Sequence, residues 1–112
     1  MEWLFSYGTL QKEKVQLELF GRILNSSRDS LKGFRITSIE NKTGEAIAKY
    51  GQQYNLIVVR SANEKDVVEG TALEVTNDEL LMADAYEPKE YKRVKLELSS
   101  GKKAWIYMAT GD

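Results

Sequence analysis

A chain of 112 residues, 42% hydrophobic and 29% charged, has room for one hydrophobic core, so residues 1–112 read as a single domain. Its net charge of −1, with both signs interspersed, offers no basic stripe for a phosphate backbone and argues against nucleic acid as a partner. Cysteine and histidine are both absent, which removes disulfides, thiolate and imidazole metal sites, and the Ser/His and Cys/His nucleophile pairs. Any catalysis must then rest on carboxylates, lysines, tyrosines or backbone groups, and no metal or organic cofactor is called for. Met1-Glu2-Trp3 opens without a basic stretch. No apolar run approaches the roughly 20 residues that span a bilayer, so no membrane association and a cytoplasmic location are expected.

Trp3, Phe5 and Tyr7 alternate with Leu4 and Ser6, which predicts a strand that Gly8 interrupts with a turn. Lys12 to Phe20 is rich in straight-chain helix formers, and Gly21 stands where a left-handed cap falls, so a short helix is expected there. Asn25-Ser26-Ser27 reads as a polar loop and Leu31 to Ile36 as a second strand. Gly44 and Gly51 bracket a weak strand candidate at Glu45 to Tyr50. Leu56-Ile57-Val58-Val59 predicts a strand buried on both faces. Val67 to Val75 predicts another, with Gly70 marking a bulge or a close backbone.

Thr76 followed by Glu79 three residues on is a capping box, the clearest helix start in the chain. That helix must end near Glu87, because Pro88 biases its predecessor out of helical geometry. Val94, Leu96 and Leu98 alternate with charged residues, and Ser99-Ser100-Gly101 turns the chain into a last strand at Lys103 to Met108. Several strands with two short helices and no regular alternation predict an α+β fold built on a twisted, partly closed sheet.

Glu87 lies seven positions after Leu80 and four after Ala83, in line with the apolar face of its helix. An inward carboxylate there is desolvated and sits at the negative end of the helix dipole; both effects raise its pKa, as a general base near pH 7 requires. The competing reading is a frayed surface residue paired with Lys89, Lys92 or Arg93, and spacing alone favours it. Tyr7-Gly8-Thr9-Leu10 joins strand to helix, so its N–H groups can converge on an anion, or it is a plain turn with Thr9 as local cap. Arg93 suits a substrate carboxylate as well as it suits a solvated sheet face. Trp105 and Tyr107 share one face of the last strand, as core or as pocket wall.

Taken in order, Leu4-Phe5-Ser6-Tyr7-Gly8-Thr9-Leu10, Val68 to Val75 with Glu79-Leu80, Asp84-Ala85-Tyr86-Glu87 with Tyr91-Lys92-Arg93, and Gly101 with Ala104-Trp105-Ile106-Tyr107 resemble the γ-glutamylcyclotransferase-like family over nearly the whole chain. The resemblance implies a small mixed β-barrel-like sheet with a cavity at one end. It implies an enzyme that converts a γ-glutamyl amide or amine to 5-oxoproline and releases the amine or amino acid. Tyr7, Gly8, Thr9 and Leu10 then hold the substrate, Glu87 is the catalytic acid/base, and Arg93 and Tyr107 are further substrate contacts. The nucleophile is the substrate's own α-amine, so the protein supplies no Ser, Cys or His. After Leu10 the chain departs from the family's pattern, reading Gln11-Lys12-Glu13-Lys14 where many relatives carry an Arg and a Gly. Two further readings stand beside the enzyme: a non-catalytic module binding a small carboxylate ligand, and an interaction domain pairing through strand edges. The sequence sets no oligomeric state.

Overall fold

Alternation in the first strand separates two cores, and the rest of the chain is arranged around them. The computed structural model describes residues 1–40, 43–50, 54–88 and 91–109. Its elements are β1 (Glu2–Ser6), a 3-10 turn (Thr9–Gln11), α1 (Glu13–Phe20), β2 (Ser26–Lys32), β3 (Phe34–Glu40), α2 (Gly44–Tyr50), β4 (Tyr54–Arg60), β5 (Val67–Val75), α3 (Asn77–Tyr86), β6 (Tyr91–Glu97) and β7 (Lys103–Ala109). Phe5 and Tyr7 point into a core built by strands, among Leu31, Phe34, Val58, Val68, Ala72, Ile106 and Met108. Leu4 points the other way, to a core shared with Leu10, Leu73, Leu80, Ala83 and Tyr107, against which Val15, Leu19 and Phe20 of α1 pack. Full burial of each large apolar side chain stabilises by roughly 1.5–3 kcal/mol, so β1, covered on both faces, anchors both cores.

The seven strands form one mixed sheet in the order β2-β5-β1-β7-β4-β3, with β6 also on β7. β7 runs parallel to β1 at Leu4 and Trp105 and parallel to β4 at Val58 and Met108, while the other pairings are antiparallel. Only Gly33 separates β2 from β3, the two ends of that order. Two Cα steps reach less than about 8 Å, so the end strands must meet and the sheet curls back on itself. Gly33 makes this switch with φ 83, a left-handed conformation that disfavours any residue with a Cβ. This is the α+β, barrel-like architecture expected.

Three elements differ from the sequence expectation. Ser26 and Ser27, read as loop, belong to β2, and the strand placed at Leu31 to Ile36 is two strands meeting at Gly33. β2 has β5 as its ladder partner and leaves its first three residues exposed, so polar side chains suffice and the apolar signal is missing. Glu45 to Tyr50 is helix α2, which makes three helices in place of two among the described residues; Glu45, Ala48 and Lys49 are ordinary helix formers, while Gly51 lies outside those residues. Within β4, Ile57 and Val58 are buried but Leu56 is exposed, so burial on both faces holds only at its centre.

Gly21 caps α1 with φ 74, and Thr76 and Glu79 form the expected capping box on α3. Glu79 also takes Arg22 as a fork, from Nε at 2.8 Å and Nη2 at 2.7 Å, tying the exit of α1 to the start of α3. Those bonds, outweighing burial, hold the Glu79 carboxyl below its ordinary range. Gly70 makes no bulge, since β5 keeps register with both neighbours. A Cβ there would lie 2.5 Å from the Ser6 carbonyl oxygen and 2.7 Å from the Phe5 ring. Gly70→Ala should therefore cost about 1–3 kcal/mol and displace the start of the Tyr7 to Leu10 loop, read as a lowered midpoint in urea unfolding with the slope unchanged.

Candidate active site

The loop after β1 is held from several directions. The Tyr7 hydroxyl donates to the Tyr107 carbonyl at 2.5 Å, joining the loop to β7. The Thr9 and Tyr86 hydroxyls share a hydrogen bond at 2.9 Å, joining it to the last residue of α3. Leu10 buries its side chain in the helix-side core, and its carbonyl accepts from Gln16 Nε2 at 2.9 Å, while Gln16 Oε1 accepts from the Leu24 N–H at 2.9 Å. Gln11 Nε2 donates to the Gly8 carbonyl at 3.3 Å, and its Oε1 accepts from the Thr71 hydroxyl at 2.8 Å. The loop is thus fixed through its carbonyls. The N–H groups of Thr9 and Leu10, first in the 3-10 turn, have no acceptor among the described residues. A Cβ on Gly8 would meet nothing within 4 Å, so open space lies over the main chain there.

Glu87 closes α3 as its C-cap, its N–H donating to the Ala83 carbonyl at 3.0 Å, with an extended backbone at φ −72 and ψ 152. Pro88 enforces that conformation, so the position of the carboxylate owes as much to the proline as to helical phase. The side chain is part-buried. Its carboxylate accepts no hydrogen bond among the described residues. Burial pushes its pKa up to about 7 against the opposing charge of Lys49. Its negative charge in turn helps push up the hydroxyls of Tyr7, Tyr86 and Tyr107, in each of which burial is the first cause. Three tyrosines, from β1's loop, α3 and β7, are therefore near enough to this carboxyl to feel its charge. At neutral pH Tyr7 and Tyr107 remain neutral hydroxyls, able to donate.

Arg93, suited in sequence to a substrate carboxylate or to a sheet-face charge, has a protein partner. Its Nε and Nη2 donate to the two oxygens of Asp84 at 2.8 and 3.0 Å, and its guanidinium stacks 4.4 Å from the Trp105 ring centre. Asp84 Oδ1 also accepts from the Tyr107 hydroxyl at 2.7 Å. The Arg93 fork thus meets a protein carboxylate, and Tyr107 is bonded to α3 through its side chain and to the Tyr7 loop through its carbonyl. Of the surface partners considered for Glu87, Arg93 is taken by Asp84 and Lys89 lies outside the described residues.

Sequence reasoning gave Asp84, Tyr86, Gln11, Gln16 and Lys49 no role at the site. The buried amide of Gln16 breaks the apolar pattern of α1 and was a usable signal; the others need the fold to bring them in. Lys49 Nζ donates to the Ala85 carbonyl at 3.3 Å, meeting the negative end of α3 beside Glu87. A groove of about 400 Å³ opens beside the loop, walled by Thr9, Lys12, Lys14, Val15, Glu18, Leu19, Ala48, Lys49 and Tyr86; Glu87 is not on its lining. Among the described residues no group of three acidic side chains is placed to hold a metal ion, and no helix is long and apolar enough to cross a membrane.

A carboxyl with a raised pKa holds its proton more tightly in the folded state than in the unfolded one. Glu87 therefore costs no stability below pH 4.5 and an increasing amount as pH rises toward about 7, at ~1.4 kcal/mol per unit of pKa difference. Relative to the parent, Glu87→Gln should gain stability through that window and level off above it, a difference that thermal melts of both proteins across pH will read.

The family described as Gamma-glutamyl cyclotransferase, AIG2-like, matches residues 4–112. The fold is similar to the solution structure of At5g39720.1 from Arabidopsis thaliana, with a TM-score of 0.74 and 25% identity, over 98% of this chain and 69% of that one. At3g28950.1 from the same plant gives 0.72 and 20% over 96% of this chain and 61% of that one. The crystal structure of the uncharacterized protein PH0828 from Pyrococcus horikoshii gives 0.67 and 16%, over 100% of this chain and 80% of that one. The last two speak for the fold alone. Among curated proteins none matches the chain.

Proposed function

Because the chain belongs to the γ-glutamyl cyclotransferase, AIG2-like family, we propose that it cyclises a γ-glutamyl amide or amine to 5-oxoproline and releases the amine, with Glu87 as acid and base. What supports this reading is the part-buried Glu87 carboxyl, raised to about 7 and near enough to Tyr7 for its charge to act there, together with a loop after β1 that has N–H groups to spare. The substrate's α-carboxylate suits the unpaired N–H groups of Thr9 and Leu10, with Gly8 giving it room to approach.

The substrate's α-amine arrives as an ammonium, which is no nucleophile. Ionised Glu87 takes one proton from it, and the freed amine attacks the γ-carbonyl carbon to close a five-membered ring. Glu87 then returns the proton to the γ-nitrogen, and the tetrahedral oxyanion collapses as the bond between that nitrogen and the γ-carbon breaks. The second proton of the ring nitrogen passes through the same carboxyl to the departing amine, which leaves as an ammonium beside the neutral lactam. One carboxyl with a pKa near neutrality serves both transfers, since it is neither too weak to take the proton nor too strong a base to give it back. Tyr7 and Tyr107, kept neutral, do not compete for its proton.

Incubation with a set of γ-glutamyl compounds should yield 5-oxoproline, detected by mass spectrometry. Turnover should rise with pH through about 7 as Glu87 ionises. Glu87→Gln should lose about 10²–10⁴-fold in kcat while still binding substrate. Tight binding with no product from the parent protein would make the domain a ligand-binding module, and a fully active Glu87→Gln protein would end the assignment of Glu87.

A further inference from the structure

The groove beside the loop has a chemical character of its own. Its volume, about 400 Å³, lies within the range of roughly 300–1,000 Å³ usual for small-molecule sites. It shares Thr9 and Tyr86 with the surroundings of Glu87, and these two are bonded to each other. Lys49, also on its lining, is the residue whose charge opposes the rise in the Glu87 pKa. The groove is therefore joined to the surroundings of Glu87 through Thr9, Tyr86 and Lys49, with the carboxyl itself off its lining.

Among the described residues on its lining, three lysines, Lys12, Lys14 and Lys49, face one acid, Glu18, in a chain whose net charge is −1. The local surplus of positive charge does not follow from overall composition. Neither Lys12 nor Lys14 has an ion-pair partner among the described residues. Between the charges lies an apolar wall: Val15 and Leu19 are part-buried and one turn apart on α1, a separation of about 6 Å, close to the length of a short alkyl chain.

Resting on the cyclotransferase reading, we infer that this groove is the subsite for the departing half of the substrate, and that it selects an amine whose apolar stem ends in an anion. A leaving group ending in a second ammonium, such as a diamine, meets like charge there and is disfavoured.

Three γ-glutamyl amides with one alkyl stem test this: those of pentylamine, of its carboxylate-ended homologue aminohexanoate, and of cadaverine. Their affinities are measured by calorimetry with Glu87→Gln protein, which does not consume them, and their kcat/KM values with the parent. The carboxylate-ended amide should bind about 3–10-fold more tightly than the neutral one, and the ammonium-ended amide more weakly than either, with the spread shrinking as salt is added. Reversal of Lys12 and Lys14 to Glu together should bring the carboxylate preference to one or below. Equal affinities, preference for the ammonium, a spread insensitive to salt, or no binding of any amide overturns the subsite. Absence of 5-oxoproline from all three with the parent, while the binding order holds, overturns the cyclotransferase reading and leaves the subsite standing.

Discussion

The site depends on Tyr107 being bonded from two sides. Its carbonyl receives the Tyr7 hydroxyl, and its own hydroxyl goes to Asp84 on α3. Because β7 also lies parallel to β1 at the centre of the sheet, these two bonds fix the loop after β1 and the end of α3 to the same strand. Arg93, clamped on Asp84 and stacked over Trp105, locks that arrangement from β6. Glu87 lies one turn beyond Asp84, so the strand that holds Asp84 also sets where the carboxyl sits. A core of two layers meeting at one strand thus lets a few long-range hydrogen bonds hold the loop to β7 and to the end of α3.

For the acid/base role proposed, a chain with neither histidine nor cysteine needs another group that changes charge near neutral pH, and burial provides one from an ordinary glutamate. That has a cost, because an ionised carboxylate with no hydrogen-bond donor is held in poor solvent. Other acids in the molecule show the contrasting arrangement. Asp29 is buried too, yet the N–H groups of Ser30 and Ser100 and the Ser100 hydroxyl outweigh desolvation and hold its carboxyl below the ordinary range. Glu79 is satisfied in the same way by Arg22 and the Thr76 N–H. Asp29 pins the turn between β6 and β7, and Glu79 braces α1 against α3, so the satisfied acids stabilise the frame in which the unsatisfied one is kept.

What could be read from the sequence was local. The capping box at Thr76 and Glu79, the Gly21 cap and the alternation of Trp3, Phe5 and Tyr7 are contained within a few residues, and all three are present in the structure. β2 was missed where its ladder needs no apolar side chains, and α2 because flanking glycines were weighted above the helix formers between them. Arg93 was open to two readings because its partner, Asp84, lies on another element and meets it only once β6 packs beside α3. The inward placement of Glu87 was reached through helical phase, whereas the structure sets it through a backbone that has already left the helix ahead of Pro88.

The account turns on the protonation of one side chain, and carboxyl-carbon NMR of Glu87 in the intact protein measures it directly. A titration midpoint near 7 is predicted, well above the unperturbed 4.5. A midpoint at or below 4.5 would contradict it, since the carboxyl would then be ionised throughout the neutral range and unfit to return a proton to the departing amine.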